Sequence, residues 1–205
     1  FAREVLWHLR DVHAAGQPAW PAPDDVIFVD DLTPTRSVQT RLGRFAVVKD
    51  WQFERSYRFI VGVGSPQAKL TMVDKALRAG LEPAPTVVHP RALVQDASLG
   101  VGGIVTPGCV VTADVRIGDY VILNLNVTVG HGSIIEDYCT LNPGCSLSGN
   151  TTLARGVMLG TGSVIVERAT LARGVTVGAQ AAVVRSVDEP DVVVVGVPAR
   201  KLVRA

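Results

Sequence analysis

Aromatic side chains make up only 5% of this 205-residue sequence, and charged ones only 19%. The few aromatics are unevenly placed. Every Trp and Phe lies before residue 60, and beyond it only Tyr120 and Tyr138 are aromatic. A ring-rich core is therefore confined to the first part of the chain, and the remainder has to pack on aliphatic and small side chains. Formal net charge is +1, with no basic run, which argues against a nucleic-acid partner. No apolar run reaches membrane-spanning length, the Val192–Val195 run being only four residues long, so membrane insertion is not expected. No secretory leader is visible. Cysteine is scarce: Cys109, Cys139 and Cys145 are an odd number without CxxC spacing. That argues against disulfides or zinc and suits a reducing cytoplasm.

What the sequence has in excess is repetition. Beginning at Leu99 and stepping six residues at a time to Val183, fifteen consecutive positions are Leu, Ile or Val. One step back gives Leu93. Two residues before each of the fifteen anchors from Leu99 to Val183, nothing larger than Val occurs, and all three cysteines fall in this small slot as core fillers. Three residues after each anchor stands Gly, Asn or Asp in ten of fifteen cases, the residues that tolerate positive φ. A period of six fits neither a helix nor a plain alternating strand. It fits a short strand plus a corner, three such hexads closing one coil, with coils stacked as parallel strands. The hexads predict about five coils and an axis of about 24 Å.

This pattern resembles the hexapeptide-repeat acyltransferases, and the whole chain resembles their PglD/NeuD-type sugar acetyltransferase branch. The resemblance implies a left-handed parallel β-helix, a hand that spacing does not reveal. It also implies three parts: an α/β Rossmann-like, nucleotide-sugar-binding lobe over residues 1–85, the β-helix over 86–187, and a CoA-contacting tail over 188–205.

Within the first lobe, Phe1–Arg10 reads as an amphipathic helix, Val26–Val29 as a strand, Arg58–Val63 as a second strand, Gln67–Ala79 as a helix and Thr86–Val88 as a third strand. That order suggests a small parallel α/β unit. The resemblance implies a further strand and Gly-rich turn upstream of Phe1. It also places Asp30 and Asp31, at a strand end, on the acceptor nucleotide, where a carboxylate accepts hydrogen bonds from a base or ribose. A polar turn is the plainer reading of that pair. Gly62, Gly64 and Ser65 resemble the strand-end turn beside the same nucleotide, although a lone GxG is weak evidence.

Of four histidines, His8 and His13 are expected on a solvated helix face and His89 in a structural role. Only His131, in Val129-Gly130-His131-Gly132-Ser133, lies within the regular coils. Two residues after an anchor its side chain should point outward, where packing does not require it. The segment from Ile122 to Asn150 resembles the family's catalytic segment, which implies that His131 is the general base for direct attack on a thioester, a role worth about 10²–10⁴-fold. Many relatives carry an acidic residue beside this histidine. Here both neighbours are glycine, leaving a backbone carbonyl, Glu136 or Asp137 to orient the ring. Asn124 and Thr140 fall where the acceptor would be met. Gly149, Thr161, Gly178 and Ala179 match places where family coils leave room for the pantetheine arm, although hexad grammar also favours small residues there. Val195-Gly196-Val197-Pro198-Ala199-Arg200-Lys201 resembles the family's ending near the CoA nucleotide, with Pro198, Arg200 and Lys201 as contacts.

The resemblance thus implies an acetyl-CoA-dependent N-acetyltransferase of a nucleotide-linked amino sugar in surface glycan biosynthesis. It acts as a cytoplasmic homotrimer that pairs His131 of one subunit with CoA-binding coils of the next, and needs no metal. O-acetylation of a sugar such as a sialic acid is the alternative, and a non-enzymatic scaffold a further one. A zinc carbonic anhydrase on this fold needs three histidine ligands, and the coils supply one.

Overall fold

A chain turns sharply every six residues only if its backbone enters the left-handed region at each corner, and it does so here without exception from Gly102 to Gln180. In the computed structural model, which describes residues 1–17, 26–30, 37–49, 51, 53 and 57–203, every third residue after an anchor has positive φ. Glycines such as Gly102, Gly132 and Gly174 do so at no cost. Asp114, Asn126 and Asn150 do so at little cost, and Tyr120, Tyr138, Arg168 and Gln180 do so against their own preference. Between corners run two- or three-residue strands in three parallel sheets, each strand pairing with its equivalent in the next coil, as in Val111↔Val129. The product is a β-solenoid longer than the five coils expected, because strands outside the regular hexads, Val87–Val88 before them and Val193–Val195 after them, add to the stack.

The first face comprises strands Val87–Val88, Ile104–Val105, Ile122–Leu123, Thr140–Leu141, Met158–Leu159, Thr176–Val177 and Val193–Val195, with Arg200–Lys201 added antiparallel at its end. The second face runs from Leu93–Val94 through Thr128–Val129 to Ala182–Val183, and the third from Ala97–Leu99 through Ile134–Ile135 to Thr170–Leu171. The anchors from Val105 to Val183 and the apolar small residues two before them, from Cys109 to Ala181, fill the interior as one cluster, with Ser133, Thr151 and Ser163 buried alongside. Cys109, Cys139 and Cys145 are fully buried in it. Burial pushes all three thiols up, Cys139 to about 12, so they stay protonated and inert.

The first part of the chain carries helix α1 (Ala2–Ala14) and helix α2 (Pro66–Arg78). Strands β1 (Phe28–Val29), β2 (Ser37–Thr40) and β3 (Gly43–Val48) form one small sheet, in which β1 is parallel and β2 antiparallel to β3. Strands β4 (Arg58–Phe59) and β5 (Glu82–Pro83) form a separate parallel pair. The hairpin β2–β3 breaks the expected strand–helix alternation. The expected third strand is also reassigned: Val87–Val88 pairs with Ile104–Val105 and so belongs to the solenoid. Its Val87 is buried against Val5, Leu9 and Val12 of α1, so this strand seats α1 on the solenoid rather than joining β1–β3.

His8 departs from expectation as well. It is buried, edge-on to His89 at 5.4 Å, because α1 turns this face toward the solenoid. Burial pushes the His8 imidazole down to about 4. His89 Nδ1 accepts from Arg91 N at 3.0 Å, which leaves Nε2 to donate to Asp11 Oδ2 at 3.1 Å. His89 is therefore a structural pin between the first helix and the coils. No helix among the described residues is long and apolar enough to cross a membrane.

Candidate active site

His131 stands at the corner between the second and third faces, exposed, as the hexad position requires. Its two glycine neighbours have separate causes. A Cβ on Gly130 would meet Gly149 N at 2.6 Å and Ser148 C at 2.7 Å, so the passing backbone of the next coil excludes a side chain. Gly132 has φ +66, and a Cβ there would fall 2.4 Å from Asn150 Oδ1. Local geometry thus excludes an acidic neighbour at Gly130, whereas at Gly132 the corner admits Asp or Asn, as Asp114 and Asn150 show in the adjoining coils. The ring lies over Gly149: a Cβ at that position would meet His131 Nε2 at 2.6 Å, Cε1 at 2.7 Å and Cδ2 at 3.0 Å. Gly149 therefore makes room for the imidazole itself. The His131 carbonyl accepts from Asn150 N at 2.7 Å, which fixes the backbone beneath the ring.

Glu136 and Asp137 do not orient the histidine. They occupy the next corner, between the third and first faces. There Glu136 Oε2 accepts from Arg155 N at 2.8 Å, and Asp137 accepts from Asp119 N at 2.9 Å and pairs with Arg155 at 3.5 Å.

The other expected site residues fall on different edges of the prism. Asn124, Thr161, Gly178 and Ala179 lie at the corner between the first and second faces. Asn124 Oδ1 accepts from Leu125 N at 2.8 Å, closing a local turn. Thr161 and Ala179 are exposed there. A Cβ on Gly160 would meet Ala179 N at 2.5 Å, and one on Gly178 would meet Val195 Cγ1 at 2.8 Å. This edge is therefore a low, close-packed ridge, along which a thin flexible chain could lie. Arg200 and Lys201 sit at the far end of the solenoid, beside a shallow hollow also bounded by Arg185 and Glu189. The Lys201 ammonium is paired with Glu189 at 2.6 Å, and Pro198 is exposed in the preceding turn. Neither that hollow nor a second one, between Arg58 and Val101, includes His131.

Thr140 is not where the acceptor expectation puts it. It is 1% exposed, beneath α2, and its Oγ1 accepts from Lys69 Nζ at 2.8 Å. Of the lobe residues, Gly62 packs against the start of α1, where an added Cβ would meet Ala2 Cα at 2.9 Å. Gly64 is open, and Ser65 caps α2 by accepting from Ala68 N at 3.4 Å. Asp30 follows β1 and donates its N–H to Val48 O at 3.2 Å, while Asp31 lies outside the described residues. One chain therefore brings His131 and Gly149 together, but leaves the Asn124–Ala179 ridge, Arg200 and the lobe turn on other edges.

Lys69 went unnoticed in the sequence. Besides Thr140 it donates to Tyr120 O at 2.9 Å, Tyr138 O at 3.2 Å and Cys139 O at 3.1 Å. Burial pushes its ammonium down to about 7. The available signal was its place on the same helical face as Met72, Val73 and Ala76, at spacings of three, four and seven.

No protein-family model and no curated protein matches this chain. Solved structures do. One is PerB from Caulobacter crescentus in complex with CoA and GDP-perosamine, 32% identical, with TM-score 0.66 over 71% of this chain and 70% of that one. A second is the acetyltransferase domain of PglB from Neisseria gonorrhoeae with acetyl coenzyme A, 28% identical, with TM-score 0.79 over 96% and 93%. WeeI from Acinetobacter baumannii shares the fold, with TM-score 0.84 over 98% and 95% at 24% identity.

Proposed function

The chain belongs to the hexapeptide-repeat β-helix sugar acetyltransferases, and from that premise we propose that it transfers the acetyl group of acetyl-CoA to the amine of a nucleotide-linked amino sugar, in the cytoplasm, for surface glycan synthesis. The observation that carries the mechanism is the seat of His131: an exposed imidazole, dispensable for packing, laid over a glycine that leaves no room for any other side chain. In this reading His131 takes the proton that the attacking amine sheds and returns it to the departing sulfur, ending neutral. We assign stabilisation of the charge that develops on the thioester oxygen to backbone N–H donors. A covalent relay through cysteine finds no support, since all three thiols are buried and held protonated.

Acetyl-CoA is the co-substrate and no metal takes part. The ridge of Thr161, Gly178 and Ala179 suits the pantetheine arm, with Gly149 at its reacting end beneath His131, and Pro198, Arg200 and Lys201 suit its nucleotide end. The neighbours solved with CoA or acetyl-CoA, one of them also with GDP-perosamine, support acetyl-CoA as the co-substrate. Because His131 and the ridge stand on different edges of one chain, we place the complete site between subunits of a homotrimer, with the lobe residues Asp30, Asp31 and Gly62–Ser65 holding the acceptor nucleotide and Asn124 meeting the sugar. Thr140 is left out, being buried. A thermal-shift screen of UDP-, GDP- and dTDP-linked amino sugars tests the acceptor class. Stabilisation by at least one is expected, and none by any would send the reading to O-acetylation of a sugar without a nucleotide.

A further inference from the structure

The turning residue of each hexad leaves its carbonyl outside the ladder. Among the described residues no backbone N–H reaches the carbonyl oxygen of Tyr120 or Tyr138. At an open corner water satisfies such a group. At this corner α2 covers it, and a covered carbonyl without a donor is costly. Lys69 meets that need: the residue is 1% exposed, and its Nζ lies 2.8–3.2 Å from both tyrosine carbonyls, Cys139 O and Thr140 Oγ1, four acceptors that share its three N–H groups.

Two further features mark the same place. The solenoid's only aromatics, Tyr120 and Tyr138, occupy positive-φ corners where the repeat otherwise favours Gly, Asn or Asp. Their rings stack on each other at 5.1 Å, and Tyr120 stacks on Phe59 of β4 at 6.2 Å. The Gly62–Ser65 turn is thus bracketed by two anchors, the Phe59 ring before it and the Lys69 ammonium after it.

Apolar packing alone would hold α2 against the coils without fixing its height along them, because it is non-directional. Tyr120 and Tyr138 stand at equivalent corners of successive coils, and an amino group bonded to both carbonyls fixes that height. We propose that Lys69 is a positioning residue for the acceptor: by bridging two successive coils it sets where the Gly62–Ser65 turn presents the sugar nucleotide along the solenoid axis. This rests on the reading that the turn binds the acceptor.

The test compares Lys69→Met, which keeps the stem and loses the donors, with Lys69→Arg, which keeps donors. Lys69→Met is expected to raise the acceptor KM tenfold or more, with the acetyl-CoA KM within twofold of wild type, and Lys69→Arg to recover most of the loss. An acceptor KM within twofold of wild type in Lys69→Met overturns the proposal. So does an equal loss in every kinetic parameter that Lys69→Arg fails to relieve, the mark of a merely structural role. Amide hydrogen exchange supplies a readout that needs no substrate. Residues 62–78 of Lys69→Met should exchange at least tenfold faster while 140–177 stay unchanged, and unaltered exchange over 62–78 overturns the proposal. Exchange decides on Lys69 even if the wild type acetylates none of the acceptors tried, a result that counts against the functional reading alone.

Discussion

Replacing Gly149 by Ala adds one methyl group in the space the His131 ring now occupies. The added Cβ would lie 2.6, 2.7 and 3.0 Å from Nε2, Cε1 and Cδ2, and these ring atoms are its nearest neighbours. Ordinary contact is about 3.5–4.0 Å, so the ring must move by about 1 Å. It can do so, since it is the exposed end of a side chain, and Gly149 does not sit in the positive-φ region that would strain an alanine. The fold should therefore survive while the base leaves its station. A misplacement of about 1 Å costs on the order of 10²-fold in rate, about 2.7 kcal/mol of transition-state stabilisation. The assay is release of CoA thiol from acetyl-CoA with a nucleotide-linked amino sugar, alongside a thermal melt. A drop of about 10²-fold in kcat with an unshifted melt is expected. Wild-type kcat in a folded Gly149→Ala protein would refute the idea that the seat positions the base. Gly130→Ala is the contrasting control: its Cβ meets the backbone of the next coil, so it should lower the melting temperature as well.

Other outcomes follow from the same geometry. His131→Ala should lower kcat by about 10²-fold or more without lowering the melting temperature, because the exposed ring contributes no core contact. Asp30→Ala and Asp31→Ala should raise the acceptor KM by about tenfold, about 1.4 kcal/mol, and leave the acetyl-CoA KM in place. Steady-state titration of each substrate checks this. Lys69 gives a pH signature. Burial lowers its ammonium to about 7 in the folded chain against 10.5 ordinarily, so between these values the unfolded chain binds more protons and stability rises with pH. Urea unfolding at pH 7 and pH 9 should show the wild type gaining on Lys69→Met by up to about 1.4 kcal/mol per pH unit, and a flat difference would contradict it. Mixing His131→Ala subunits with subunits altered at Thr161 and Ala179, each inactive alone, should restore activity if the site is shared in a trimer.

Much of the solenoid was legible because its physics is local and repeated. An inward aliphatic, a small companion and a turning residue recur every six positions, and the backbone obeys that rule even at Tyr120, Tyr138, Arg168 and Gln180, whose side chains disfavour it. The exposure of His131 followed from the same arithmetic. What the repeat could not show was what lies on it. Thr140 reads as an outward residue and is one, but α2 covers it. Lys69 reads as a solvated helical lysine, since its partners are backbone carbonyls that no sequence pattern marks. His8 was placed in solvent because nothing in α1 alone says which stripe meets Val87 and Ile104. The β2–β3 hairpin turns through Arg41 and Leu42, without the Asn-Gly or Asp-Gly signal that would have announced it. The role of Gly149 lay a full coil along the chain from His131, a separation that has meaning only once the coils are stacked.

Acetyl transfer itself is tested most directly by mass spectrometry of the acceptor. Wild-type protein is incubated with acetyl-CoA and, in turn, GDP-, UDP- and dTDP-linked amino sugars, beside His131→Ala under identical conditions. The account requires at least one sugar nucleotide to gain a single amide-linked acetyl group with wild type, and that product to fall by about 10²-fold with His131→Ala. Equal product from both proteins, or acetylation found only on hydroxyl groups, would contradict it.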